Sequence, residues 1–441
     1  MAEGLLLFYY FPNTSQSASL TAPLKGSLPQ CLPLRGGAAA GGGEVTNGAE
    51  DGMIQPKGGG GMTEVAIAGC GDYSTEHCRV ALEQVLAPLG GLDWVQPGMR
   101  IVLKANLVSF LKPEAAGTTH PGILAALTEL LRSRGAVVII GDSPGGLYTG
   151  AYVNRIYAIT GMKQVQGARL NDNFAVAQAT FPQARRALTF SYTAYLDDCD
   201  AIINVCKLKT HGMMGLSAAA KNMFGAVPGT VKPEYHFRYP EAMDFAHMIV
   251  DLDEYFRPRL QIVDAVVGME GNGPTSGTPR PIGCILAGHS PHAVDLLCAR
   301  LIGLPAERVP TLRAAWERGL APKTVEEVEI AGDWRQFVVS GYQILPGHRD
   351  TQFRPRSGGA WGKMSAWVIR KAMGSEPALD KKRCVGCEVC RKVCPADAIT
   401  IERRKPQIHR QKCIRCFCCQ EFCPHGAMVV RRSAIAKLLS R

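Results

Sequence analysis

Two runs of cysteines near the C-terminus constrain this 441-residue chain more than any other feature of its sequence. The first run reads Cys-x₂-Cys-x₂-Cys-x₃-Cys-Pro and extends from Cys384 to Pro395. The second run has the same spacing and extends from Cys413 to Pro424, so each cysteine lies 29 residues after its counterpart. Ala398 and Ala427 keep this offset too. A fixed offset over several positions indicates an internal repeat rather than a scatter of thiols.

The spacing within each run predicts iron–sulfur ligation. Two residues between thiolates let a loop wrap one cubane, and the fourth cysteine is carried away to complete the other cluster. Zinc knuckles or a disulfide scaffold are the alternative, but zinc sites usually join two cysteine pairs across a long spacer. Cys418 breaks the register and is expected to be a packed free thiol. We therefore predict two [4Fe–4S] clusters, cluster I on Cys384, Cys387, Cys390 and Cys423, and cluster II on Cys413, Cys416, Cys419 and Cys394.

These roughly 45 residues resemble a bacterial two-cluster ferredoxin, and the resemblance implies one-electron transfer at low potential. Cluster ligands must be reduced thiolates, which predicts a reducing compartment and hence a cytoplasmic protein. The chain has no run of about 18 apolar residues, so we expect no transmembrane helix. The apolar cluster Leu5–Phe11 has no basic residue before it, which argues against a secretory signal.

The net charge of +11 is concentrated at the C-terminus. From Lys381 to Arg441 there are 15 Lys or Arg and 4 Asp or Glu, so the rest of the chain is balanced. A basic segment can bind nucleic acid, or it can compensate cluster charge and dock an acidic redox partner protein. No nucleic-acid motif accompanies it. We favour the redox interpretation and expect no nucleic-acid partner.

Composition and pattern divide the chain into five segments. Residues 1–61 are rich in Gly, Ala, Ser and Pro and are expected to be a disordered leader, with Met62 or Met53 as a possible start. A chain that begins at Met62 should then keep its melting temperature and cluster content. The other segments are an α/β domain (62–345), a linker and connecting helix at Trp361–Met373 (346–380), a ferredoxin-like domain (381–432) and a basic tail (433–441).

Between Met62 and Ile330, apolar β-branched runs alternate with helical stretches. This alternation predicts a parallel sheet flanked by helices, so the fold class is α/β, followed by the small ferredoxin-like two-cluster domain. The predicted strands are Thr63–Ala68, Arg100–Leu103, Ala136–Ile140, Ala201–Cys206, Leu260–Val263 and Ile282–Ala287. The predicted helices are Ser74–Leu89, Pro121–Arg134, Ala151–Thr160, Leu216–Phe224 and His292–Ile302.

Polar side chains follow the carboxyl ends of several predicted strands, where open α/β sheets bind ligands. Alternate residues of an extended chain face one way, so Lys207, Lys209 and His211 should project together, with Lys209 facing solvent. We predict that these three are catalytic, with the lysines neutralising an anionic ligand and His211 exchanging a proton. The predicted substrate-binding residues are Lys104, Asn106, Asp142, Ser143, Lys221, Asn222, Asp264 and Glu270.

Each of these features also has a simpler explanation. A single lysine after a strand is usually solvated, and a single histidine such as His211 is more often packed or in a loop. The sequence Gly-Asp-Ser-Pro-Gly-Gly at Gly141 is commonly a turn and lacks the lysine of a phosphate loop. Only the convergence of several strand ends favours a site. The remaining cysteines are expected in the core, at Cys70, Cys78, Cys199, Cys206, Cys284 and Cys298.

Four motifs resemble the family called domain of unknown function 362. They are Val102-Leu-Lys-Ala-Asn-Leu-Val, Gly141-Asp-Ser-Pro-Gly-Gly, Asn204-Val-Cys-Lys-Leu-Lys-Thr-His and Lys221-Asn-Met-Phe-Gly, and a fifth match begins at Ile262. The resemblance covers about residues 104–303 and implies the fold and a neighbouring ferredoxin-like module. It implies no particular reaction.

Three functions remain open at this point. The first is a ferredoxin-fed reductase in which electrons reach an anionic substrate or cofactor at the strand ends. The second is an electron carrier or redox adaptor without catalysis of its own, and the third is a ligand-binding redox sensor. A cavity lined by acid–base groups favours the first, whereas a filled sheet edge favours the second.

Overall fold

The computed structural model describes residues 64–344 and 375–432. Four predicted segments therefore lie outside the described residues: the leader 1–61, most of the linker, the helix at Trp361–Met373 and the basic tail. The described residues form an α/β domain and a smaller C-terminal unit that packs against it.

A nine-stranded sheet forms the centre of the α/β domain, and its main path has the order β11-β1-β10-β9-β7-β2-β3-β4. The short strand β8 pairs with β7 alone. A separate two-stranded ribbon, β5-β6, lies outside this sheet. The strands are β1 Val65–Gly69, β2 Arg100–Lys104, β3 Val137–Gly141, β4 Arg169–Leu170, β5 Val176–Thr180, β6 Thr189–Thr193, β7 Ala201–His211, β8 Gly215–Ser217, β9 Leu260–Glu270, β10 Thr278–Gly288 and β11 Ile330–Ala331.

The sheet is mostly parallel, with β10 as the one strand of the main path that runs against its neighbours. It pairs antiparallel with both β9 and β1, while β9, β7, β2, β3 and β4 are parallel. Only residues 271–277 separate β9 from β10, which is too short for the helical crossover that a parallel pair requires. The predicted α/β class with a flanked, mainly parallel sheet is confirmed.

Helices cover both faces of the sheet, as expected when strands are buried on both sides. Helices α1, α2 and α3 contribute to one apolar cluster, and α6, α7 and α8 contribute to clusters on the other face. The α-helices of this domain are α1 Thr75–Leu86, α2 Pro121–Ser133, α3 Gly150–Ile159, α4 Ala219–Asn222, α5 Lys232–Arg238, α6 Ala242–Phe256, α7 Pro291–Leu301 and α8 Pro310–Trp316.

Several elements differ from the sequence-based expectation, and three of them have a clear physical reason. Strand β7 continues to His211 instead of ending at Cys206, because its lysines find buried partners. The predicted helix Leu216–Phe224 is instead β8, the short helix α4 and a 3₁₀ turn, since Gly215 at φ 69° closes a hairpin with β7. Helix α6 was not predicted, and its burial on nearly all sides explains why it shows no clear apolar stripe.

The C-terminal unit preserves the 29-residue repeat in three dimensions. Its short helices, α9 Val389–Lys392 and α10 Cys418–Glu421, occupy equivalent positions, and the preceding residues Glu388 and Phe417 both have φ 61°. Two antiparallel strand pairs complete the unit: β12 Ser375–Leu379 with β15 Met428–Arg432, and β13 Ile399–Glu402 with β14 Lys405–Ile408. Strand β12 lies within the segment that the sequence assigned to the linker.

Candidate functional site

The eight cysteines of the repeat surround two separate cavities in the C-terminal unit. Within residues 64–344 and 375–432, no three His, Cys, Asp or Glu side chains converge on a single metal position. Each set of four thiols surrounds a volume instead. One cavity is lined by Cys384, Cys387, Cys390 and Cys423, and the other by Cys413, Cys416, Cys419 and Cys394.

The backbone around these cavities suits [4Fe–4S] ligation. The amide of Ala398 donates to Cys394 Sγ at 3.2 Å, and the amide of Ala427 donates to Cys423 Sγ at 3.3 Å. Such amide-to-sulfur bonds are among the interactions that tune cluster potential. Cys418 is fully buried and lines the second cavity without belonging to the repeat. Each cavity is therefore lined by the four thiols that the spacing groups together, and thiolate donors suit a [4Fe–4S] cluster. The number of clusters stays a prediction.

Midway along the two neighbouring strands, Lys207 on β7 pairs with Asp264 on β9. Lys207 Nζ lies 2.5 Å from Asp264 Oδ2, and both side chains are buried. Lys207 also donates to the hydroxyl of Tyr73 and to the carbonyl of Val267, at 2.9 and 3.1 Å. Tyr73 in turn donates to Asp264 Oδ1 at 2.9 Å. This closed network leaves no free charge at Lys207.

Lys104 and Lys209 also have partners within the domain. Lys104 Nζ lies 2.7 Å from Asp142 Oδ1. Lys209 Nζ donates to Asn106 Oδ1 and to the carbonyl of Gly117, both at 2.6 Å. Asn106 Nδ2 then donates to Asn222 Oδ1 at 2.9 Å, which links β7 to helix α4.

The expectation that Lys209 faces solvent is wrong. Its relative exposure is 0%, and Lys207 is exposed by only 1%. Burial lowers the pKa of Lys209 to about 7, although the charge of Glu421 opposes this shift. The sequence pattern placed the side chains of β7 on one side but gave no indication of the loop at Gly117 and the C-terminal unit that cover them.

His211, the last residue of β7, is held in one tautomer. Its Nδ1 accepts hydrogen bonds from the amides of Met213 and Met214 at 3.1 and 3.2 Å. Burial, reinforced by Lys221, lowers the pKa of His211 well below its usual value, so the ring is neutral with its proton on Nε2. That Nε2 is buried, has no hydrogen-bond partner among the residues that the structure describes, and lies 3.9 Å from Glu421 Oε2.

Glu421 comes from helix α10 of the cysteine repeat and faces several basic groups of the α/β domain. Burial would raise the pKa of Glu421, but Lys221, His211, His236 and Lys232 outweigh burial and lower it to about 2. Neither lysine is close enough to the carboxylate for an ion pair. The Glu421 side chain is 19% exposed, so solvent reaches this region.

Lys221 and Lys232 flank the ring of Phe224. Their Nζ atoms lie 4.8 and 5.6 Å from its centroid. Lys232 Nζ also donates to the carbonyl of Ser143, whereas no hydrogen bond or ion pair joins the ammonium group of Lys221 to another described residue. Burial lowers the pKa of both lysines, for Lys232 to about 8. Lys221 is therefore a buried amine whose charge lacks a close anionic partner.

His236 on helix α5 adds another unpartnered group to this region. It stacks on Phe245 with ring centroids 4.4 Å apart, and neither of its ring nitrogens forms a hydrogen bond to a described residue. Burial lowers the pKa of His236 to about 4, so it is neutral at physiological pH.

The predicted site residues therefore do not converge on one point. Asp264 and Lys207 form one network, and Lys104, Asp142, Asn106, Asn222 and Lys209 form another. Ser143 accepts a hydrogen bond from the amide of Gly229, and Glu270 accepts one from the amide of Gln343. Lys221 and His211 face the region at Glu421, whereas Lys209 is held by Asn106 and Gly117 although the charge of Glu421 reaches it.

Comparison with known proteins identifies the family of this chain. The model for domain of unknown function 362 (DUF362) matches residues 101–300, and the model for a 4Fe–4S dicluster domain matches residues 376–424. A thylakoid-associated protein, sll1697, of Synechocystis sp. is 30% identical over 286 residues, which cover 64% of this chain and 88% of that protein. The chain belongs to the DUF362 family. The resemblance expected from the motifs is confirmed, and the dicluster domain supports an iron–sulfur electron-transfer role.

Two solved structures show weaker similarity to this DUF362 protein. The lactate racemase apoprotein of Thermoanaerobacterium thermosaccharolyticum has a TM-score of 0.34 at 12% identity, and the match covers 52% of this chain and 54% of that chain. A protein of Thermotoga maritima has a TM-score of 0.30 at 14% identity, with coverages of 47% and 53%. This chain thus spans about half of each, and both scores are too low to bear on function.

No helix in the described part of this DUF362 protein is long and apolar enough to cross a membrane. The expectation of a cytoplasmic location stays a prediction.

Sequence reasoning missed four groups that face Glu421 or lie beside it: Lys232, His236, Gln420 and Glu421 itself. Lys232 and His236 lie four residues apart and share one face of helix α5, which is a signal that the sequence does contain. Gln420 and Glu421 lie between cysteines of the repeat and were overlooked there. Nothing local in the sequence shows that this helix packs on the DUF362 domain.

Proposed function

We propose that this protein is an iron–sulfur redox protein that relays electrons through two [4Fe–4S] clusters to an anionic substrate or cofactor in the DUF362 domain. The observation that carries the proposal is the position of helix α10. This helix belongs to the second cysteine run, and Gln420 Nε2 donates to the carbonyls of Asn272 and Gly273 at 3.1 Å each. The helix of the second cysteine run is thus hydrogen-bonded directly to the segment that follows the carboxyl end of β9.

Apolar packing around the second run supports the same arrangement. Phe417 is 2% exposed and belongs to the apolar cluster that contains Met213 and Phe245. Phe422 packs so closely on Gly145 that a Cβ there would lie 2.7 Å from the ring. In the first run, by contrast, Cys387 is exposed. Electrons would therefore enter at the first set, from an acidic redox protein, and leave from the second.

When bound, a [4Fe–4S] cluster supplies electrons one at a time. The chain's own groups then bind the acceptor and manage charge. Lys221 and Lys232 neutralise an anion, and His211 donates a hydrogen bond from Nε2. Because the pKa of Lys209 is about 7, its Nζ can release or take up a proton near neutral pH.

Anaerobic reconstitution tests the cofactor content of this proposal. The protein should bind about eight iron and about eight sulfide ions per chain, as two cubanes require. Zinc without sulfide would contradict it.

The relay itself is tested by oxidation of the reduced protein. Chemically reduced protein, freed of excess reductant and kept under argon, should lose its reduced-cluster EPR signal when an acceptor anion from a screen of carboxylates, phosphates and nucleotides is added. Retention of the signal with every anion that binds would reject catalysis by this site.

An electron carrier or redox adaptor is the second candidate, and the filled strand ends favour it. Lys104, Lys207 and Lys209 all bond to groups of the protein itself, as a structural network would. In that case the reduced protein passes electrons to another protein, and added small anions leave its EPR signal unchanged.

A further inference from the structure

The basic groups around Glu421 are satisfied only in part by the protein. Three buried polar atoms there have no hydrogen-bond partner in the described part of the chain: His211 Nε2, His236 Nδ1 and Gln420 Oε1. The residues that carry them are 2%, 1% and 1% exposed. A buried polar group without a partner costs free energy, so three such groups facing one region indicate a place for a ligand.

Donors and cations dominate one side of this region. The proton of His211 must be on Nε2, because Nδ1 accepts two backbone hydrogen bonds. Among residues 64–344 and 375–432, the ammonium group of Lys221 has no ion-pair partner, and that of Lys232 donates only to a backbone carbonyl. Two ammonium groups and an imidazole N–H form a suitable set for binding the oxygens of a carboxylate or phosphate.

Acceptors form the other side, and they come from helix α10. The carboxylate of Glu421 accepts no hydrogen bond from a described residue. The bonds from Gln420 Nε2 to Asn272 and Gly273 fix the orientation of the Gln420 amide, and its buried Oε1 has no partner among the described residues. An anion without a hydrogen-bond donor would meet only repulsion from Glu421. A ligand that complements both sides must therefore contain an anionic group and a hydroxyl group.

We propose that the region between Lys221, Lys232, His211 and Glu421 binds a small oxyanion that carries a hydroxyl group. The lysines and His211 hold the oxyanion, and the hydroxyl donates to Glu421 or Gln420. This inference rests on the proposed function for its location and adds the chemical class of the ligand. Helix α10 would then have two roles, because it carries Cys419 of the second cysteine run and also supplies the acceptors Gln420 and Glu421 for the ligand.

Calorimetry on the oxidised, fully reconstituted chain tests this assignment with three probes: glycolate, acetate and inorganic phosphate. Glycolate and acetate have the same carboxylate and differ in the hydroxyl group. Glycolate should bind roughly ten-fold or more tightly than acetate, which corresponds to one hydrogen bond to a charged group. Tighter binding of hydrogen phosphate, which has its own O–H, would identify phosphate as the source of the oxyanion.

Two variants and one control locate the binding. Lys221→Met should weaken glycolate binding by roughly 10- to 150-fold. The control Lys163→Met removes a charge from an exposed lysine and should leave the affinity unchanged. Glu421→Gln should reduce the preference for glycolate over acetate, since it removes the repulsion of the bare carboxylate. This last comparison remains informative if Lys221→Met does not load iron.

Equal affinities for glycolate and acetate in the wild type, or no binding of any of the three probes, would overturn the assignment. Because the oxidised protein is used without a reductant, either result would leave the proposed electron relay untouched. A protein that binds glycolate in this way, yet never passes electrons to any bound anion, would contradict the relay and keep the assignment.

Discussion

Lys207 Nζ and Asp264 Oδ2 lie 2.5 Å apart at the centre of the sheet, with side chains that are 1% and 0% exposed. The hydroxyl of Tyr73 completes the network, since it accepts from Lys207 and from the amide of Val267 and donates to Asp264. Such an arrangement satisfies two buried charges and fixes β7 against β9.

Removing one member of this pair should destabilise the protein strongly. Asp264→Ala leaves Lys207 buried without its counter-ion, and we expect a loss of about 3–5 kcal/mol in the free energy of unfolding. The double variant Lys207→Met/Asp264→Leu removes both charges and should recover most of that loss. Urea unfolding measures both. A double variant no more stable than Asp264→Ala would show that the pair is not the source of the effect.

A glycine beside the second ion pair offers a steric test. A Cβ on Gly225 would lie 2.2 Å from both Asp142 Oδ1 and Lys104 Nζ. Gly225→Ala should therefore push these buried charges apart and cost about 1–3 kcal/mol or more. Gly71 has no atom within 4 Å of the same position, so Gly71→Ala should change stability by less than about 0.5 kcal/mol. Equal melting temperatures for the two variants would contradict this prediction.

The buried amine of Lys209 predicts a specific pH dependence. Its pKa is lowered to about 7 in the folded protein and returns to its ordinary value when the chain unfolds. Above about pH 7 the unfolded chain binds the extra proton, so stability rises with pH by up to about 1.4 kcal/mol per pH unit. This contribution is lost as pH falls through 7.

Lys209→Met should remove that slope. The free energy of unfolding of the wild type relative to this variant should increase between pH values of about 7 and about 9. Lys163→Met, at an exposed position, should keep the wild-type slope. Parallel pH profiles for wild type and Lys209→Met would mean that Lys209 keeps its proton throughout.

Neighbouring cysteines of the second run should differ in iron content. Cys419 belongs to the repeat and Cys418 does not, although both are buried and both line the same cavity. Cys419→Ser should lose about half of the iron, about four of about eight ions. Cys418→Ser should keep nearly all of it, as measured by iron and sulfide analysis after identical reconstitution. Equal losses would show that Cys418 takes part in ligation.

The sequence predicted the elements whose pattern is local. The spacing of the cysteines predicted the two groups that surround the cavities, and the apolar runs predicted β2, β3 and α2 within one or two residues. Helix α6 escaped prediction because Asp251 and Asp253 are buried among its apolar residues, which blurs the periodicity. The burial of Asp251 is explained by the hydrogen bonds that it accepts from the backbone amides of residues 185–187 and by its ion pair with Arg318.

For the candidate site, the sequence predicted only which side chains of β7 lie on the same side of the strand. Alternation along β7 correctly grouped Lys207, Lys209 and His211. Whether each of these side chains is buried depends on which distant groups pair with its charge. Asp264, which pairs with Lys207, is 57 residues away in sequence, and Glu421, which faces His211, is 210 residues away. No local pattern encodes such pairings, so the lysines that retain unsatisfied charge could not be separated from those that are structural.

The two cysteine runs share a backbone but no longer share an environment. Cys387 is exposed while its counterpart Cys416 is buried, and Glu388 pairs with Arg391 at the surface while its counterpart Phe417 packs in a core. Another ferredoxin domain therefore could not simply replace the C-terminal unit. A ferredoxin of similar fold grafted in its place would need an aromatic residue at position 417 and an acid at position 421, because these complete the core and the polar region of its neighbour.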